Sequence, residues 1–171
     1  MRSLIQSHIQ SKLNSSLSRF DLIFLNFFLK YFIPFNGAHG FKISEMKKGH
    51  AKIKLPFKRA NFNHLKGLHA AALVTLGEYC AGMNLLSVLG LKDYRFILQE
   101  LSAKYHYQGR MAVWGQCEMD FPAQNKLIDE VKKEGKTLVT LRTEIYDTQS
   151  QHIATITTTW QAKDWRKVKT K

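Results

Sequence analysis

Cysteine, proline and acidic residues are scarce in this chain: 171 residues hold two Cys, three Pro and 13 Asp or Glu. Two cysteines cannot staple a small disulfide scaffold. Cys80 and Cys117 lie in largely apolar runs without CxxC or CxxxH spacing, so they read as buried, reduced thiols of a cytosolic protein, and no metal site is expected. The composition, 44% apolar and 23% charged, excludes a disordered chain and a collagen-like repeat. No internal repeat or low-complexity block is visible, and the length suits one domain with its own core. The shortage of acid leaves a net charge of +13, which asks for a polyanionic partner: nucleic acid, anionic lipid or a phosphorylated small molecule. The basic residues are spread along the chain apart from a short run near its end, and no nucleic-acid-binding module accompanies them, so nucleic acid is not expected.

The most apolar stretch, residues 20–35 (FDLIFLNFFLKYFIPF), is interrupted by Asp21, Asn26 and Lys30 and closed by Pro34. It falls short of the roughly 20 apolar residues that a spanning helix needs. Arg2, Lys12 and Arg19 followed by Asn36-Gly37-Ala38 imitate a secretory signal only loosely, so the expected location is cytoplasmic. Phe20, Phe24, Phe27, Phe28, Tyr31 and Phe35 recur at spacings of three and four and define one aromatic helical face. Its plain role is to pack on the domain that follows; a sharper one is peripheral contact with a membrane.

Residues 1–19 read as a polar helical lead-in, and beyond residue 37 the period becomes strand-like. Phe41 and Ile43, then Ala51, Ile53, Leu55 and Phe57, alternate with polar neighbours and form a hairpin about a turn at 45–49. After a loop at 59–68, residues 69–89 form a helix that is apolar on nearly every side and hence buried all round, with Gly90 ending it. Strands follow at 94–107, with a bulge near Gln99-Glu100, and at 112–120. A short helix at 122–134 closes on Gly135, and strands at 136–147 and 151–162 pair as a last hairpin. The expected fold is α+β: an antiparallel sheet of about six strands wrapped around a long central helix, with an extra N-terminal helix. The expected boundaries are a helical extension at 1–36, one domain at 37–163 and a basic tail at 164–171.

Glu78 is the one charged residue between Gly67 and Leu91. A carboxylate within an apolar helix is costly unless it is used, paired or at a solvated edge. The same helix starts after Asn63, Gly67 and His69, so the free N–H groups of Ala70 and Ala71 suit an anion or a developing oxyanion; His69 alone reads first as a structural residue at the helix start and only then as a catalytic one. Ala70 and Glu78 are separated by about 12 Å along the axis and about 80° around it, so one helix cannot aim both at one atom. Two helices antiparallel across a two-fold axis can.

The run from Asn63 through Gly67 and His69 to Ala70-Ala71, with Glu78 nine positions after the histidine, resembles the signature of hotdog-fold acyl-CoA thioesterases of the phenylacetyl-CoA thioesterase (PaaI) type. By element order the resemblance covers about residues 37–162. The N-terminal helix and residues 94–110 are also similar to a less characterised hotdog branch taken to be thioesterases. The resemblance implies hydrolysis of a fatty or aromatic acyl-CoA without a cofactor, by a homodimer or a dimer of dimers. It implies Glu78 as base or nucleophile, Asn63 as the group orienting water or carbonyl, and the Ala70 N–H, with Ala71, as oxyanion donor. Gly67, Arg59 and Arg110, with Lys58, Lys66 and Lys104, would flank the ligand and steer its phosphates. Two departures stand out: Ala70-Ala71 replaces Gly-Gly, keeping the donors but adding methyl groups, and Glu replaces the more usual Asp. A hotdog protein that binds acyl groups or acyl-CoA without hydrolysis is the alternative.

Overall fold

A computed structural model describes residues 12–13, 15–90 and 92–168. The expected lead-in therefore lies largely outside the described residues, as do Leu91 and the last three residues of the tail. Helix α1 (Arg19–Phe32) begins in a capping box, where Ser18 accepts from the Asp21 N–H and Asp21 reaches back to Ser18. Lys12 donates to Asp21 at 2.8 Å and, with Ser18, holds that carboxyl down at about 2. Pro34 breaks the helix and opens a short second one, α2 (Pro34–His39), which Gly40 ends in the left-handed conformation.

Strands β1 (Lys42–Lys47) and β2 (His50–Leu55) form the first hairpin, tighter than expected because the turn is confined to Lys48-Gly49. Helix α3 (Ala70–Leu89) follows, then β3 (Tyr94–Tyr105), β4 (Val113–Glu118), helix α4 (Phe121–Glu134), β5 (Lys136–Asp147) and β6 (His152–Asp164). The six strands make one sheet in the order β1-β2-β4-β5-β6-β3, with antiparallel neighbours throughout. The bulge in β3 falls between Leu98 and Glu100, where the alternation of the sequence slips.

The inner face of the sheet supplies Ile53, Val113, Ile145 and Ile156, all fully buried, against Leu73, Leu76, Cys80 and Leu85 of α3. Both cysteines are free and buried. Burial pushes the Cys117 thiol up to about 12 and holds the Cys80 thiol well above its ordinary value, so neither is reactive. Helix and sheet approach closely where the sequence supplies glycine. A Cβ on Gly77 would lie 2.3 Å from Ile156, and the buried Thr143 hydroxyl donates to the Gly77 carbonyl at 3.0 Å.

Two expectations need correction. The central helix is not covered on every side: Val74, Glu78, Gly82 and Leu86, spaced by four, form a half-buried stripe that the sheet leaves open. Apart from Glu78 the stripe carries no polar side chain, so periodicity could not separate it from the core. Likewise, the aromatic face of α1 does not pack on the domain. The packing face is Leu22, Leu25, Leu29 and Asn26, whose carboxamide exchanges hydrogen bonds with both backbone groups of Ile43 at 2.7 and 2.9 Å.

Candidate active site

The loop that leads into α3 is held by two asparagines with different tasks. Asn61 is buried; its amide donates to the carbonyls of Pro56 (2.8 Å) and His39 (3.0 Å), and its backbone carbonyl accepts from the His69 N–H at 2.8 Å. Asn63 shapes a five-residue turn: its side-chain oxygen accepts from the Leu65 and Gly67 N–H groups at 2.9 and 3.1 Å. Its amide nitrogen makes only a long contact of 3.4 Å, to the Leu68 carbonyl, and is the part of the side chain left for a ligand. Space at Gly67 is tight: a Cβ there would lie 2.9 Å from the movable Gln108 amide and 3.2 Å from the Gly109 carbonyl.

His69 caps α3. Its Nδ1 accepts the Ala71 N–H at 3.0 Å, which leaves Nε2 as the protonated nitrogen of the neutral ring. The cap consumes one of the two expected oxyanion donors. The Ala70 N–H has no partner among the described residues and is the donor that remains at the helix start.

Asn63 and Ala70 share a cavity of about 330 Å³ with Leu73, Tyr105, Tyr107 and Gln108. Glu78 lies in another, of about 480 Å³, lined by Val74, Tyr79, Met83, Phe96 and Trp160 and closed on one side by Ile33 and by Phe35 of α2. The two cavities have no residue in common. Glu78 makes no hydrogen bond or ion pair among the described residues, and burial raises its pKa above the usual carboxylate value. A carboxylate so placed is a stronger base than one in water, and nothing among the described residues neutralises it.

Of the basic residues expected around the site, Arg110 is exposed and donates at 3.0 Å to Gln108, at the rim of the Ala70 cavity. Lys66 is exposed in the turn, with a positive φ of 58°. Arg59 sits exposed in a 3-10 turn (Arg59–Asn61), and Lys104 is exposed on β3; neither lines these cavities. Lys58 donates to the Ala38 carbonyl at 3.0 Å and faces a third cavity, of about 360 Å³, beneath α1. Sequence reading missed the apolar wall of the Glu78 cavity, above all Trp160 and Phe96. The signal available was their inward phase on β6 and β3, which core residues share.

One curled antiparallel sheet clasping a single long helix, with a loop–helix start at one end, is the hotdog fold of thioesterase-like proteins. Within that fold the chain belongs to the family described as a domain of unknown function (DUF4442), whose model matches residues 23–162. A Pseudomonas aeruginosa protein of unknown function, described as a probable thioesterase, is 21% identical and superposes with a TM-score of 0.76 over 82% of this chain and 94% of its own. A thioesterase enzyme from Staphylococcus aureus shares 16% identity at a TM-score of 0.64, over 76% of this chain and 98% of its own. A Haemophilus influenzae thioesterase shares 13% at 0.66, over 89% and 94%. At these identities the common property is the fold. No curated protein sequence matches the chain.

Proposed function

We propose that the protein is an acyl-CoA thioesterase of PaaI-like type, acting on a fatty or aromatic acyl thioester at a site shared between two copies. The observation that carries this reading is the Glu78 carboxylate, raised in pKa by burial and without a partner or an oxyanion donor among the described residues of its apolar cavity. The free donor, the Ala70 N–H, is in a different cavity of the same chain. A second copy in antiparallel register would bring its helix start to Glu78.

The exposed edge of the sheet supports that register. Among the described residues β3 pairs only with β6, leaving twelve residues, about 40 Å of strand, with one row of backbone groups unpaired. Phe96 and Leu101 of the same strand wall the Glu78 cavity. Pairing of two β3 edges would continue the sheet across a two-fold axis and cover the open stripe of α3.

In this reading Glu78 takes a proton from water as the oxygen attacks the thioester carbon. The oxyanion gathers its charge against the Ala70 N–H of the other copy, and the Asn63 amide orients the water or carbonyl. Collapse expels the thiolate, which recovers the proton from Glu78. Arg110 and Lys66 at the rim supply positive charge for the phosphates of coenzyme A.

Thiol release from a panel of short to long acyl-CoAs tests the proposal. Wild type should release thiol, and Glu78→Gln should lower the rate at least a hundredfold at unchanged fold. Binding of acyl-CoA without release by the wild type would favour the alternative, a non-hydrolytic acyl-CoA binder. The cap that His69 places on the Ala71 N–H, which leaves a single donor, is the feature on that side.

A further inference from the structure

The aromatic face of α1 is out of place on a water-soluble surface. Phe20 is 82% exposed, Phe24 52%, Phe27 63% and Tyr31 65%, and Phe35 at the start of α2 is 64% exposed. With Ile23, the α1 members lie within an arc of about 100° on the side opposite the packing leucines. Scattered exposed apolar residues need no explanation, but a continuous row of large aromatics does.

What lies beside the row narrows the occupant. Lys30, Lys42 and Lys58 converge on the cavity of about 360 Å³ beneath the flank of α1, which Phe27 also lines. None of the three forms an ion pair with a carboxylate among the described residues. The one acid on α1, Asp21, is engaged by Lys12 and Ser18 on the other flank. The whole chain carries +13, which favours an anionic surface over a neutral one.

Aromatic anchors beside unneutralised lysines match the two layers of an anionic bilayer surface. The rings enter the acyl boundary and the lysines meet the phosphates, and two such signals together give stable peripheral binding where either alone is marginal. We propose that the α1–α2 face docks the protein on an anionic lipid membrane. The row also ends at the Glu78 cavity, which Ile33 and Phe35 wall. A docked molecule would thus present that cavity to acyl chains at the membrane surface; this last step alone rests on the thioesterase reading.

Co-sedimentation of the full chain with vesicles tests the docking without any turnover. Wild type should bind phosphatidylcholine vesicles containing about one-third phosphatidylglycerol, bind pure phosphatidylcholine far less, and lose binding as salt rises. Phe20→Ser, Phe24→Ser and Tyr31→Ser combined should weaken binding at least tenfold, with short-chain thiol release unchanged. Lys30→Glu with Lys42→Glu should abolish the preference for anionic vesicles, a second check should the triple variant fold poorly. Failure of the wild type to bind either vesicle, or equal binding by both variants, overturns the proposal. So does a triple variant whose particle mass falls in sedimentation velocity while vesicle binding is unmoved, because the face would then belong to a second copy. A protein that binds vesicles yet hydrolyses nothing would leave the docking standing and remove the thioesterase reading.

Discussion

Glu78 ties chemistry to stability because its cavity penalises the charged form. Its pKa is raised in the fold, so the native state holds the proton more tightly than the unfolded chain. The stability conferred by that proton is complete below the ordinary Glu value and is lost as pH rises through the raised one. Glu78→Gln keeps the shape and removes the titration. Thermal melts should therefore show the variant matching wild type near about pH 4 and exceeding it near about pH 8. A wild type that is the more stable of the two at the higher pH would mean that Glu78 is ionised and paired. The same substitution that stabilises the fold should remove thiol release, which separates a used carboxylate from a structural one. The sequence marked this residue by contrast, as a lone charge in an apolar helix. It could not divide the labour between Asn61 and Asn63, two positions apart, because only burial tells a loop's internal cross-brace from a side chain with a free amide.

At the scale of elements, the contact of α3 with β6 decides where the helix can sit. A Cβ on Gly77 would lie 2.3 Å from the Cβ of Ile156, whereas one on Gly82 would meet only the rim of Trp160 at 3.4 Å. Gly77→Ala should cost about 1–3 kcal/mol by overpacking, more than the roughly 1 kcal/mol that alanine gains in a helix. Gly82→Ala should stabilise by up to about 1 kcal/mol. Urea denaturation midpoints of the two variants should move in opposite directions. Element identity was legible because alternation along β2 and β5, the length of α3 with its single charge and the slip in β3 are local signals. What a local signal cannot report is the partner of a face. The stripe Val74, Gly82 and Leu86 reads as core, and the aromatic row of α1 reads as a packing face, although among the described residues the stripe is only half-buried and the row is exposed.

In the proposed assembly of the whole molecule, the open stripe of α3 would be covered, while the aromatic row of α1 would stay outside the interface. The unpaired β3 edge and the open stripe of α3 border the same cavity, while the free Ala70 N–H faces another. A site built from Glu78 of one copy and Ala70 of the other makes a prediction that a single-chain site does not. Ala70 is the first helical residue, and His69 before it is extended at φ −69° and ψ 138°, so Ala70→Pro fits the backbone and deletes only the N–H. Glu78→Gln and Ala70→Pro proteins should each be inactive alone. When the two are mixed in equal amounts and allowed to exchange subunits, half of the dimers should be mixed, each with one intact site of two. Thiol release should then recover to about a quarter of the wild-type rate. Were each site contained within one chain, every site in every mixed dimer would carry one of the two lesions and no activity would return. Recovery near one quarter would therefore fix both the partnership of the residues and the antiparallel sense in which the two central helices face each other.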